Sequence, residues 1–169
     1  KCGPALAAGC PIVIKPPAET PLSALALAVL AERAGLPKGI FNIVTTKHSS
    51  RVGQEMTGNA LVRKFSFTGS TEIGRELMAQ CASTVKKVSL ELGGNAPFIV
   101  FESANVEEAV RAAIFAKFRN NGQTCICVNR FFVHEAVYSE FREKLKAAVL
   151  ALKVGDGSHE GTDVGPLIN

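Results

Sequence analysis

The residues best suited to chemistry lie in the run Asn120-Asn121-Gly122-Gln123-Thr124-Cys125-Ile126-Cys127. A polar, glycine-containing loop after a helix is a good place for a nucleophilic thiol, which needs access to its substrate. The same cysteines also fit the commoner role of small, inert, buried fillers. No metal site is expected: the C-x-C pair has no second Cys/His pair at ligand spacing, and His134 and His159 stand alone. Arg119, six residues before Cys125, closes the apolar stretch from Ile114 to Phe118. It reads as an anion site beside the thiol or as an exposed helix end that suits the helix dipole. Glu91 lies near the end of an apolar run and is followed by Leu92-Gly93-Gly94. A carboxylate at the carboxyl end of a parallel strand sits where ligands bind, and two glycines let a ligand approach the backbone. The alternative is an outward-facing strand residue.

Gly69-Ser70-Thr71 follows the apolar run ending at Phe67 and opens a helical pattern. A helix start offers free N–H groups to a phosphate, or Ser70 or Thr71 simply caps the helix. Two phosphate-binding fingerprints fail. There is no G-x-G-x-x-G, and the G-x-x-x-x-G from Gly69 to Gly74 continues as Arg75-Glu76 instead of Lys-Ser/Thr.

These residues need elements to hold them, and the chain alternates short β-like runs with amphipathic helices. Strands are expected at 11–15, 41–45, 64–67 and 85–92. Helices are expected after Thr20-Pro21, over 49–57 and from Thr71 to about Ala82. In the first helix Thr20 is the expected N-cap, with Pro21 at the first helical position. Leu22, Leu25, Ala26, Val29 and Leu30 form its apolar face, and Gly35 and Pro37 stop it. Serial β-α units imply a doubly wound parallel sheet in an α/β fold. After Gly94 the pattern restarts: a strand at 97–101, a helix opened by an Asn105/Glu108 capping box, a strand at 130–134 and a last amphipathic helix. Two domains follow, 1–94 and 95–169.

Composition removes other classes of function. Nineteen Lys and Arg against fifteen Asp and Glu leave +4 without a long basic run, which gives no footprint for nucleic acid. With no Trp and only Tyr138, a base-stacking surface is not expected either. The longest apolar stretch, Leu22 to Ala31, is about half of what a membrane-spanning helix needs. Five irregularly spaced cysteines argue against a disulfide framework and for a reducing compartment. That points to the cytoplasm, with a mitochondrial parent as the alternative. The sequence starts at Lys1 and reads as a piece of something longer.

The set Phe67-Thr68-Gly69-Ser70-Thr71, Glu91-Leu92-Gly93-Gly94 and Gly122-Gln123-Thr124-Cys125 resembles the aldehyde dehydrogenase superfamily. The resemblance spans the chain, from Gly3–Gly9 to Val164–Ile168. Within the superfamily, Gly94–Phe101 and Lys117-Phe118-Arg119-Asn120 are most similar to succinate-semialdehyde dehydrogenases. The motif order is the specific feature, with Cys125 thirty-four residues after Glu91.

The resemblance implies an aldehyde-dehydrogenase-like α/β fold, holding a partial dinucleotide-binding domain and the start of a catalytic domain. It implies oxidation of a small aldehyde to an acid, with NAD or NADP as cofactor and a homo-oligomeric parent. Cys125 matches the nucleophile and Glu91 the base that activates water. Lys15 matches the lysine at the adenosine ribose, Gly69 and Ser70 the turn near the pyrophosphate, and Leu92 and Gly93 the backbone next to the nicotinamide. Arg119 matches the residue that binds the distal carboxylate of succinate semialdehyde. Cys127 is the candidate redox partner of Cys125, although bridging residues two apart requires the loop to rearrange. One departure bears on the cofactor. NAD-preferring relatives often carry Glu where this chain has Ala18, and without that carboxylate a 2′-phosphate is not repelled. The family's oxyanion-hole Asn falls upstream of Lys1 and its second nicotinamide-contacting Glu downstream of Asn169. The competing readings are an inactive fragment or binding module of the same fold, a dehydrogenase for another aldehyde, and a relative that passes the acyl group to phosphate or coenzyme A. Glu91 argues against the last of these.

Overall fold

A computed structural model describes residues 1–169 and divides them into two compact units, Lys1–Glu91 and Leu92–Asn169. This division falls three residues before the one expected from the sequence, after Gly94. Both units repeat one grammar, a strand, a helix and a second strand beside the first.

In the N-terminal unit a short helix α1 (Cys2–Ala7) precedes β1 (Ile12–Ile14), α2 (Leu22–Arg33) and β2 (Phe41–Ile43). β1 and β2 pair in parallel with Ile12 opposite Phe41 and Ile14 opposite Ile43. Then come α3 (Ser49–Gly58), β3 (Lys64–Gly69), α4 (Thr71–Ala82) and β4 (Lys87–Leu92), the last of which pairs with β3. The core is small. Phe65, Leu77 and Cys81 are buried, with Met56, Phe67 and Val88 packed around them. Thr57 is buried with its hydroxyl 2.8 Å from Gln80 Oε1, which ties α3 to α4. Lys86 is buried too, and its ammonium donates to the carbonyls of Asn59 (2.9 Å) and Val62. A buried charge needs such partners.

Three details depart from the sequence reading. Pro21 takes helical φ/ψ ahead of α2, as its expected place at the first helical position requires, and its carbonyl accepts the Leu25 N–H, but no side-chain hydrogen bond from Thr20 caps the helix. The helix also buries no residue of its own: Leu22, Leu27 and Leu30 are 76%, 54% and 56% exposed. Val85 is not in a strand. It turns the chain after α4 at φ 49°, a left-handed conformation costly for a β-branched side chain, and β4 starts at Lys87.

In the C-terminal unit β5 (Ala96–Val100), α5 (Val106–Phe118), β6 (Val128–Val133) and α6 (Glu135–Leu150) form a better-filled core. β5 and β6 are parallel, with Phe98 opposite Phe131 and Val100 opposite Val133. Val100, Val106, Val110, Ala113 and Phe141 are buried together, and Phe131 sits between Phe98 and Phe141. The other face of the pair exposes Ile99 and Phe132, with the Arg130 guanidinium 5.9 Å from the centroid of the Phe132 ring. Asn105 caps α5 by accepting the Glu108 N–H at 3.1 Å. The return half of the capping box is missing, since Glu108 turns to Arg111 instead. No helix is long and apolar enough to cross a membrane, and no three metal-ligating side chains gather.

Candidate active-site halves

The first half-site lies at the carboxyl ends of β1 and β2. A cavity of about 250 Å³ opens there, lined by Pro16, Pro17, Ala18 and Pro21 after β1 and by Thr45, Thr46 and Lys47 after β2. Prolines fix φ and so shape a loop without hydrogen bonds. The cavity is below the roughly 300–1,000 Å³ that encloses a whole drug-sized ligand, so it suits one end of a longer molecule. Ala18 is on its wall and Glu19 is not. Lys15, next to the cavity in sequence, donates to Ser49 Oγ at 3.2 Å, at the first residue of α3.

Ser70 is the N-cap of α4, and its Oγ accepts the Ile73 N–H at 3.3 Å. This satisfies one amide and leaves the other first-turn amides of a twelve-residue helix for a ligand. Gly69 has a steric reason of its own: a Cβ there would run into the Phe67 ring. Glu91 is exposed in β4 and forms no ion pair. Among the other thiols, Cys81 is inert. Burial pushes its pKa up, and the Lys86 charge only partly opposes this.

The second half-site is the loop between α5 and β6, at the amino end of β6. α5 ends at Phe118, and Arg119 is its C-cap rather than its last residue. The guanidinium folds over the exposed Phe115 ring, 5.4 Å from the centroid, and no carboxylate pairs with it. Three successive left-handed residues follow, Asn120 (φ 53°), Asn121 (φ 58°) and Gly122 (φ 74°). Asparagine tolerates this region better than most residues, and glycine is free in it. A Cβ on Gly122 would stand 3.1 Å from the Lys117 carbonyl. The sequence reading saw the polar loop and missed its handedness, which the Asn-Asn-Gly run itself signals.

Beyond this turn the two cysteines part company. Cys125 is exposed, whereas Cys127 is buried and its thiol donates to the Lys117 carbonyl at 3.2 Å. Both are free thiols. Gly94 lies against the Cys125 carbonyl, which brings the turn after Leu92 and Gly93 up to the thiol loop. The β5–β6 register slips between Ala96 and Pro97. Asn129, skipped by that slip, accepts from Lys117 Nζ at 2.7 Å and donates to Asn95 Oδ1 at 2.9 Å.

Parallel β-α-β units with a cleft at strand carboxyl ends, followed by a unit that displays one exposed thiol, form an aldehyde-dehydrogenase-like α/β fold. Succinate-semialdehyde dehydrogenase from Burkholderia pseudomallei shares it, with a TM-score of 0.97 and 63% identity over 100% of this chain. The model of the aldehyde dehydrogenase family matches residues 1–169, and the chain belongs to that family. It is 62% identical over its whole length to glutarate-semialdehyde dehydrogenase from Pseudomonas putida. It is also 62% identical to the NADP(+) succinate-semialdehyde dehydrogenase of Escherichia coli. In each case the chain spans 35% of the relative's length.

Proposed function

We propose that the protein carrying this chain oxidises a small aldehyde with a distal acid group to the dicarboxylic acid, using NAD or NADP, with succinate semialdehyde as first choice. The observation that carries the reading is the exposed Cys125 on a fixed turn, in a chain whose whole length matches the family.

The cofactor's expected residues fit it. Lys15 and the wall of the 250 Å³ cavity would take the adenosine end, the first turn of α4 at Gly69-Ser70 the pyrophosphate, and Leu92-Gly93 the nicotinamide. When bound, the cofactor supplies the hydride acceptor. The chain's own residues act on either side of that exchange. The Cys125 sulfur adds to the aldehyde carbon and then holds the acyl group as a thioester. Glu91 takes a proton from the water that releases the acid. Arg119, with no carboxylate of its own, can bind the substrate's acid group through two N–H donors. Relatives named for succinate and glutarate semialdehydes, acids of different chain length, are consistent with recognition by charge at the far end. Ala18 on the cavity wall favours tolerance of a 2′-phosphate. A homo-oligomeric, membrane-free parent in the cytoplasm or mitochondrion belongs to the same reading.

The test separates the two steps. In the parent protein, Cys125→Ala should abolish turnover, while Glu91→Gln should leave a burst of reduced cofactor followed by slow release. Steady oxidation by Cys125→Ala would overturn the reading.

A further inference from the structure

The left-handed turn before Cys125 is held by a segment far along the chain. Asn121 Nδ2 donates to the Pro166 carbonyl at 2.7 Å, and Asn121 Oδ1 accepts the Gly165 N–H at 3.0 Å. Gln123 Oε1 accepts the Ile168 N–H at 3.1 Å. A carboxamide offers a donor and an acceptor side by side in one plane, so Asn121 pairs with residues 165–166 as a peptide group would. The partner segment is itself fixed. Val164 bridges to Val154 in parallel, and the Gly155 N–H reaches the Val164 carbonyl at 3.0 Å. Asp163 closes the same loop, accepting the Lys153 N–H on Oδ2 at 2.9 Å and donating its own N–H to the Lys153 carbonyl at 2.9 Å.

Consecutive left-handed residues persist only where their surroundings over-determine them. Here the surroundings are these ties, with Cys125 bracketed between Asn121 on one side and the anchored Cys127 thiol on the other. We infer that Asn121 is a positioning residue: it clamps the Asn120–Gly122 turn to residues 165–166 and so fixes where Cys125 presents its sulfur. The inference rests on the reading of Cys125 as nucleophile.

Two variants of the parent protein test it. Asn121→Gly keeps the left-handed turn and loses both bonds. Asn121→Asp keeps the acceptor for Gly165 and turns a second oxygen, without a proton, on the Pro166 carbonyl. Both should lower kcat roughly 10- to 100-fold with KM for aldehyde and cofactor within about twofold, since misplacement by about 1 Å suffices for such a loss. Amide hydrogen exchange, which needs no turnover, should quicken at least about tenfold across residues 120–125 and stay unchanged in α5 and β6. An unchanged kcat in either folded variant overturns the inference, as does a fall in kcat matched by a rise in KM. If Asn121→Gly does not fold, the Asn121→Asp result decides. Turnover by Cys125→Ala would instead sink the nucleophile reading, and the exchange result would still judge the clamp.

Discussion

The N-terminal unit opens its cavity at the carboxyl ends of β1 and β2, whereas the C-terminal unit displays Cys125 at the amino end of β6. The same β-α-β grammar is thus used from opposite ends. In open parallel sheets ligand crevices lie outside the carboxyl ends of the strands. Three prolines are then enough to shape the one here. The amino end of a strand offers no such cleft. There the thiol loop depends on left-handed residues and on side chains that reach backbone groups 44 and 45 residues away. A cavity wall built from proline rings should accept single changes with a local effect. A turn built from strained residues and long-range ties should not.

The largest effect is expected on the thiol side. A charge-assisted Arg–carboxylate contact is worth about 1.5–3 kcal/mol, so Arg119→Leu should lower kcat/KM for succinate semialdehyde roughly 10- to 200-fold. A neutral aldehyde of similar length should lose far less. An unchanged ratio between the two substrates in a folded variant removes the case for an acid-bearing substrate.

Next in size is Gly122→Ala. It adds left-handed strain and sets a methyl group 3.1 Å from the carbonyl that receives the Cys127 thiol. A loss of about 2 kcal/mol is expected from denaturant melts. A loss near zero would mean that the turn is not under constraint, and the contrast between the units would fail.

On the cavity side, Ala18→Glu should move the ratio of kcat/KM values roughly tenfold from NADP toward NAD, by placing a carboxylate near the 2′-phosphate. Stability should hold, since Ala18 is exposed. A fall in melting temperature would break the claim that this wall is tolerant.

The smallest effect concerns a strained residue that serves no site. Val85 is 92% exposed at φ 49°, so Val85→Asn should stabilise the protein by about 1 kcal/mol without changing kcat. If catalysis fell as well, strain in the N-terminal unit would be functional too.

Which parts were legible in sequence follows from the range of the forces. Alternating apolar runs located β3, β5 and α4 through α6, because local periodicity decides which face is buried. Ser70 and Asn105 were readable as caps, because a cap contacts amides three residues on. Pro21 takes the helical geometry expected of it, but the cap expected from Thr20 is absent, since no side-chain bond closes that end of α2. The apolar face of α2 was legible as a pattern, but a pattern does not tell what covers it, and nothing within these residues buries it. The grip of residues 165–168 on the thiol loop and of Lys86 on Asn59 and Val62 could not be read at all. Such contacts join positions that no local spacing relates.

The placement of Cys127 also bears on how the loop meets oxidative stress. Of the two loop cysteines only Cys125 is open to peroxide, and oxidation there gives a sulfenic acid, which a nearby thiol can rescue as a disulfide. Cys127 is adjacent in sequence but 2% exposed, and its proton is engaged by the Lys117 carbonyl. Rescue must wait for that thiol to leave its socket. Meanwhile a second peroxide can carry Cys125 to the sulfinic acid, from which a simple thiol does not recover it. The burial that anchors one end of the loop therefore lengthens the interval in which the exposed sulfur can be lost for good.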